Sequence, residues 1–234
     1  MVPPNVGAYL KAIYGLQDDD TRVAPSAVAT AMGVKPPTVT TMLQRMHDDG
    51  VIDYERYQGG RLTPRGEKRA LEIVRHHRLL ELFFIEQLGY DWSEVHDEAE
   101  VFEHSISERV ETRTAALLGF PTVDPHGAPI PTVDLEIQQD GGQQSVEQCN
   151  EGTVGVVSAV RDSSPDVLDY LVEAGVTLGT QLQLTEVAPF GLITLELEEI
   201  DEQFSVPPET ATNSFVSSFA ELSTDESGQF SEAH

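Results

Sequence analysis

Val23-Ala24-Pro25-Ser26-Ala27-Val28-Ala29-Thr30-Ala31-Met32-Gly33-Val34, followed by Lys35-Pro36-Pro37-Thr38-Val39-Thr40-Thr41-Met42-Leu43-Gln44-Arg45-Met46, is the stretch that decides the fold. After a cap at Ser26, or just before it, small residues form a short helix that Gly33 closes. Pro36 and Pro37 are tolerated in the first turn of the next helix, where Val39, Met42, Leu43 and Met46 recur at helical spacing as an inward stripe. A small-residue helix, a glycine turn and a second helix led by hydroxyl side chains is the helix-turn-helix pattern, whose second helix enters the major groove. Lys35, Pro37, Thr38, Thr40 and Thr41 lie where base edges and phosphates would be, and Arg45 follows one turn on. Short side chains allow close approach, and threonine methyls can touch thymine methyls. The competing reading is a helical hairpin with no DNA function.

On the N-terminal side, Leu10, Ile13, Tyr14 and Leu16 mark a short amphipathic helix over residues 7–16, ended by Asp18-Asp19-Asp20. On the C-terminal side, Val51 to Thr63 reads as two short strands around a Gly59-Gly60 turn, which makes a wing. Arg56, Tyr57, Gln58 and Arg61 are expected at its tip, against phosphate backbone or minor groove. Thr63-Pro64 looks like the cap and first turn of a long helix. A winged helix-turn-helix domain is therefore expected over residues 1–73.

The helix from Pro64 runs to about Leu88 and carries His77 and Glu81 at i, i+4. Gly89-Tyr90-Asp91 breaks it. Next comes His96-Asp97-Glu98-Ala99-Glu100-Val101-Phe102-Glu103-His104, in which His96, Glu100, Glu103 and His104 fall on one face of a helix as a row of nitrogen and oxygen donors. Two facing helices then supply six metal ligands: His77, Glu81, His96, Glu100, Glu103 and His104. Imidazole and carboxylate without thiolate suit Mn, Fe(II), Co, Ni or Zn. The plainer alternative is an acidic, solvated helix face with scattered histidines. A di-metal carboxylate oxidoreductase would need Glu-x-x-His twice, and the residues three before His77 and His104 are Val74 and Val101.

The metal-row helix is expected to continue to Leu118, with Ile106, Val110, Ala115, Ala116, Leu117 and Leu118 on apolar faces large enough for a dimer interface. Residues 74–120 thus form a helical metal-binding and dimerisation domain. A Pro-, Gly- and Gln-rich linker is expected over 121–147. Strands at 153–160, 181–187 and 192–197, the last two marked by clear alternation, with a short helix over 165–174, predict a small β-barrel domain over 148–220. Residues 221–234 are expected to be a disordered acidic tail. The fold class is α+β and multidomain.

A net charge of -26 argues against nucleic acid until its distribution is considered. Residues 1–78 hold 11 basic and 9 acidic side chains, net +2, and residues 79–234 hold 3 basic and 31 acidic, net -28. The basic residues gather where DNA contact is expected. Three lysines and abundant acid resemble the composition of proteins from salt-in halophiles, and the plainer alternative is an ordinary acidic regulator. The single cysteine, Cys149, excludes an intramolecular disulfide and a cysteine zinc site. Without an apolar run of about 18 residues or a basic, apolar leader, the protein is expected to be soluble, intracellular and cytoplasmic, with no membrane and no small organic substrate among its partners.

Taken in order, Tyr9-Leu10-Lys11-Ala12-Ile13-Tyr14, Pro37-Thr38-Val39-Thr40, Leu62-Thr63-Pro64-Arg65-Gly66, His77-Arg78-Leu79-Leu80-Glu81, Val95-His96-Asp97-Glu98-Ala99, Glu103-His104 and Pro125-His126-Gly127-Ala128-Pro129-Ile130-Pro131 resemble motifs of the diphtheria-toxin-repressor family of iron- or manganese-dependent transcriptional regulators. The resemblance covers nearly the whole chain. It implies a homodimer that binds double-stranded, pseudo-palindromic operator DNA when loaded with Fe(II) or Mn(II), and an SH3-like C-terminal domain. It also implies two metal sites: one at His77, Glu81 and His96, and a second at Glu100, Glu103 and His104 plus a first-helix ligand. At that first-helix position the family shows Met or Asp where this chain has Ala8, so the second site is expected to be incomplete, or completed by water or Asn5. Glu100 is a manganese-type feature and His96 an iron-type one. The family's C-terminal domain also lends a ligand to the first site; the matching positions are Ser164 and Val167, with Asp162 or Asp166 nearby. The rival classes are the di-metal oxidoreductase and a metal-independent winged-helix adaptor.

Overall fold

The first core forms where the N-terminal helices cross. Val6, Tyr9, Leu10 and Ile13 of α1 (Pro4–Leu16) meet Val28 and Ala29 of α2 (Pro25–Ala31) and Val39, Leu43 and Met46 of α3 (Pro36–Asp48). Each fully buried leucine or isoleucine there contributes about 1.5–3 kcal/mol. The computed structural model describes residues 4–18, 20–137, 142–161, 165–197 and 202–218. It comprises two units, Met1–Gln139 and Asp140–His234. The expected tail, 221–234, lies outside the described residues, as do Asp162 and Ser164.

The wing is β1 (Ile52–Glu55) paired antiparallel with β2 (Gly59–Leu62). Its turn lies at Arg56–Gln58, and Gly59 and Gly60 belong to the strand, which corrects the expected Gly-Gly turn. The reason is a third partner. Val23 exchanges both backbone hydrogen bonds with Gly60, at 2.8 and 3.0 Å. A Cβ on Gly59 would sit 2.2 Å from the Val23 carbonyl oxygen.

Thr63 caps α4 (Pro64–Phe83), its hydroxyl accepting from the Gly66 amide at 3.2 Å, with Pro64 in the first turn. Gly66 lets the helix approach β1, since a Cβ there would fall 1.8 Å from the Val51 carbonyl oxygen. The chain continues as one π-helical turn, Phe84–Leu88, until Gly89 adopts a left-handed φ of 73°. The expected long helix to Leu88 is therefore present, with a change of winding at its end.

The expected continuous helix from Glu94 to Leu118 is two helices, α5 (Val95–Phe102) and α6 (Glu108–Leu117). Ser107 starts the second, its hydroxyl accepting from the Val110 amide. The break turns Glu103 inward, where it is 2 % exposed, instead of leaving it on a solvated row.

The stretch expected as a linker is folded at both ends. Asp124 Oδ1 accepts from the amides of His126 and Ala128, both at 2.8 Å. The Pro131 carbonyl accepts from Arg75, the Pro129 carbonyl from Arg78 and the Pro125 carbonyl from Trp92. Ile130 is buried with Leu79 and Ala115. Prolines suit this role because they offer a carbonyl and leave no N–H to satisfy. At the other end, Gln143–Ser145 is a strand.

The second unit is a six-stranded antiparallel sheet in the order β3-β8-β4-β5-β6-β7. Its strands are β3 (Gln143–Ser145), β4 (Val154–Val160), β5 (Gln181–Val187), β6 (Ile193–Leu197), β7 (Glu202–Val206) and β8 (Ser214–Ser218), with α7 (Pro165–Glu173) and α8 (Pro208–Asn213) between them. Register shifts at Val157/Ala159 and Leu184/Glu186 bend the strands. Cys149 is buried there, as a small apolar residue would be.

Candidate metal centre

His77 and Glu81 share a face of α4 one turn apart, and α5 brings His96 against them. His77 Nε2 lies 2.8 Å from Glu81 Oε1 and 3.0 Å from His96 Nδ1, and His96 Nδ1 lies 3.1 Å from the same carboxylate oxygen. Metal bonds of about 2.0–2.2 Å put adjacent donors of an octahedron about 3.0 Å apart. The three edges therefore match one face of a coordination polyhedron, so these residues fit a divalent ion. His77 and Glu81 are buried, whereas His96 is half exposed and gives the face access to solvent.

Burial works against the charge on Glu81, but hydrogen bonds with His126, His77 and His96 hold its carboxyl well below the usual range. Burial likewise opposes the charge on His77, and hydrogen bonds to Glu103 and Glu81 outweigh it, raising the imidazole pKa. His77 Nδ1 is 2.6 Å from Glu103 Oε2. Glu103 thereby fixes the ring so that Nε2 faces the donor triangle, the usual role of a carboxylate behind a ligating histidine.

A second convergence was missed from the sequence. Glu81, Asp124 and His126 bring donor atoms within 4.8 Å of one another. His126 stacks on Trp92 with centroids 5.1 Å apart, and its Nδ1 lies 3.9 Å from Glu81 Oε2. Burial raises the Asp124 pKa, aided by the Glu81 charge. Glu81 thus faces His77 and His96 with one oxygen and His126 with the other. The Asp-Pro-His spacing was the available signal; the run Pro125–Pro131 reads in sequence as linker composition and as a family motif, without a ligand among its residues.

Glu100, Glu103 and His104 do not converge in this way. Among the described residues the triples with donor atoms close together are those two alone. Glu100 is more than half exposed, and His104 Nε2 lies 3.3 Å from Glu103 Oε1. His104 packs on α1 at Gly7, where a Cβ would fall 2.7 Å from its ring. The residue the sequence reading passed over is Lys11. Its ammonium stands 2.8 Å from Glu103 Oε2, 3.1 Å from His77 Nδ1 and 3.4 Å from Glu100 Oε1. Asn5, considered as a further ligand, has its side chain outside the described residues.

On α3, Lys35, Pro37, Thr38, Thr40, Thr41 and Arg45 are all exposed, opposite the buried Val39, Leu43 and Met46. The hydroxyls of Thr40 and Thr41 donate to carbonyls one turn back, so their protons are used within the helix while both residues stay exposed. At the wing, Arg56 lies over the ring of exposed Tyr57. Arg61 instead sits within β2, paired with Asp53 at 3.3 Å and Asp20 at 4.0 Å.

A winged helix-turn-helix whose outgoing helix carries two members of a His/Glu cluster that fits a divalent ion, followed by a separate six-stranded β unit, defines the class. Residues 1–60 match the model of the iron-dependent repressor N-terminal DNA-binding domain, residues 63–132 that of the iron-dependent repressor metal-binding and dimerisation domain, and residues 145–217 the FeoA domain. The iron-dependent repressor IdeR of Mycobacterium tuberculosis is 30% identical over 189 residues, 80% of this chain and 82% of that protein. A solved manganese-dependent transcriptional repressor in complex with manganese superposes with a TM-score of 0.84 at 34% identity, covering 92% of this chain and 100% of that one. ScaR with bound Zn2+ gives a TM-score of 0.76 at 30% identity over 91% of this chain and 99% of the other. The chain belongs to the diphtheria-toxin-repressor family of iron- or manganese-dependent transcriptional repressors. That family consists of DNA-binding repressors and not enzymes, so the oxidoreductase alternative falls away. Among the described residues no helix is long and apolar enough to cross a membrane.

Proposed function

We propose that this protein is an Fe(II)- or Mn(II)-dependent transcriptional regulator of metal-uptake and homeostasis genes that binds a pseudo-palindromic operator as a homodimer. The observation that carries this reading is the His77–Glu81–His96 triangle, with edges of 2.8–3.1 Å, formed between α4, the helix that leaves the wing, and α5. A bound divalent ion would supply positive charge that draws α4 and α5 together. His77 and His96 would ligate through neutral nitrogens and Glu81 as carboxylate, with Glu103 orienting His77. Because α1 and β2 pack on α4, fixing this centre biases the attitude of the DNA-binding helices.

For DNA contact, Lys35 and Arg45 would meet phosphates, with Arg56 and Tyr57 of the wing against backbone or minor groove. Pro37, Thr38, Thr40 and Thr41 would face bases. Arg61 would reach DNA only by leaving its partners in β2. For the dimer, Val110, Ala116 and Leu117 of α6 are exposed, whereas Ile106, Ala115 and Leu118 pack inward. The outward set supports an interface narrower than the one expected from sequence. The excess of acid over base supports a working environment of concentrated salt.

Selection of random duplexes by the purified protein tests this directly. In Mn(II) or Fe(II) a pseudo-palindrome with half-sites a whole number of helical turns apart should be enriched. Equal enrichment in chelator would leave the metal-independent adaptor as the correct reading.

A further inference from the structure

We propose that the Lys11 ammonium is the resident cation of the Glu100–Glu103–His104 pocket, so that the chain holds no second metal ion there and α1 is tied to the metal centre by its own side chain. This rests on the reading of His77, Glu81 and His96 as the metal site.

The buried Glu103 carboxylate needs a positive partner, because an unpaired buried charge is costly. Lys11 supplies it, with Nζ 2.8 Å from Oε2. The same ammonium reaches Glu100 at 3.4 Å and His77 Nδ1 at 3.1 Å. It therefore stands among the very carboxylates that a second metal would use. The remaining Glu103 oxygen faces His104 Nε2 at 3.3 Å, so both oxygens have partners. A divalent ion entering this pocket would meet a fixed positive charge at contact distance and would have to expel it.

Ala8 fits this arrangement. Position 8 offers no donor, and α1 sends a cation from three residues further along the helix instead. The result is a chain of contacts from Lys11 on α1, through Glu103, to His77 Nδ1, whose Nε2 faces the metal triangle. One charged side chain thus both fills the pocket and fastens the first helix to the sensor.

The test is the number of Mn(II) ions bound per chain, measured by equilibrium dialysis on full-length protein with free Mn(II) read by EPR. Lys11→Met and Lys11→Glu each bind one more ion than wild type, and His104→Ala added to Lys11→Met removes that ion. The two Lys11 replacements differ in charge, so failure of one to fold leaves the other to decide. A count equal to wild type, or an extra ion that survives the His104 change, overturns the proposal. His96→Ala tests the underlying site separately: a wild-type count in that variant refutes the His77–Glu81–His96 reading and not the assignment of Lys11.

Discussion

His77 Nε2 and His96 Nδ1 stand 3.0 Å apart on different helices, their rings edge to face with centroids 4.6 Å apart. Two imidazole nitrogens at this distance share one proton in a hydrogen bond, and a metal ion that bound both would displace that proton to solvent. Binding of the ion to the folded state alone stabilises by mass action, about 2.7 kcal/mol at a free concentration one hundred times Kd. Thermal unfolding with increasing Mn(II) should therefore show a midpoint that rises with concentration. His96→Ala should remove most of that rise while changing metal-free stability by about 0.5 kcal/mol or less, because His96 is half exposed. A full rise in the variant would contradict the assignment.

Gly66 and Gly7 should respond differently to the same added methyl group. At Gly66 the methyl meets the Val51 carbonyl oxygen at 1.8 Å, and backbone must move. Gly66→Ala is expected to cost about 3 kcal/mol or more. At Gly7 it meets side-chain atoms alone, the His104 ring at 2.7 Å and the Ile73 Cδ1 methyl at 3.0 Å, and alanine favours the helix. Gly7→Ala should stay within about 1 kcal/mol of wild type while shifting the His104 ring resonances. Urea unfolding of both variants, with NMR of the second, decides.

Lys35 opens the exposed face of α3 and is expected to neutralise one phosphate. Lys35→Ala should then weaken binding about equally on all sequences and shift the slope of log affinity against log salt by about 0.9 in the positive direction. Fluorescence anisotropy across a salt series measures this. An unchanged slope would remove Lys35 from the DNA surface. For the wild type, a flat or rising dependence on salt supports the halophilic setting, and a steep negative slope counts against it.

Glu111 holds α6 to α4, with Oε1 2.5 Å from Arg75 Nε and Oε2 3.2 Å from His76 Nε2. The hydrogen bond with His76 depresses its pKa most, burial opposes the shift, and Arg75 adds to it. A carboxyl with a depressed folded-state pKa stabilises the fold above its ordinary value of 4.5, and that contribution disappears as pH falls through the folded-state value. Urea unfolding at pH 7 should show Glu111→Gln less stable by about 1–2 kcal/mol. The gap should close below pH 4.5; a constant gap would mean that the loss is steric.

Much of the chain was legible from local pattern because local physics fixes it. The apolar stripe of α3, the Thr63-Pro64 start of α4 and the His77/Glu81 spacing each depend on residues within a turn or two. Local pattern thus gave the winged helix-turn-helix, the helical metal domain, the β character of the last unit and six candidate donors, among which only the family resemblance set His77, Glu81 and His96 apart. The tertiary structure alone decided which donors meet. A helical row from His96 to His104 ends at Phe102, since Ser107 starts a new helix, and Glu103 turns inward toward partners on α1 and α4. Asp124 and His126 join Glu81 only because proline carbonyls bond to Arg75, Arg78 and Trp92 and fold residues 121–131 onto α4. Lys11 shows the same division. Its contacts with His77 and Glu103 span 66 and 92 residues, distances over which no periodicity carries information and only packing of α1 on α4 brings the charges together.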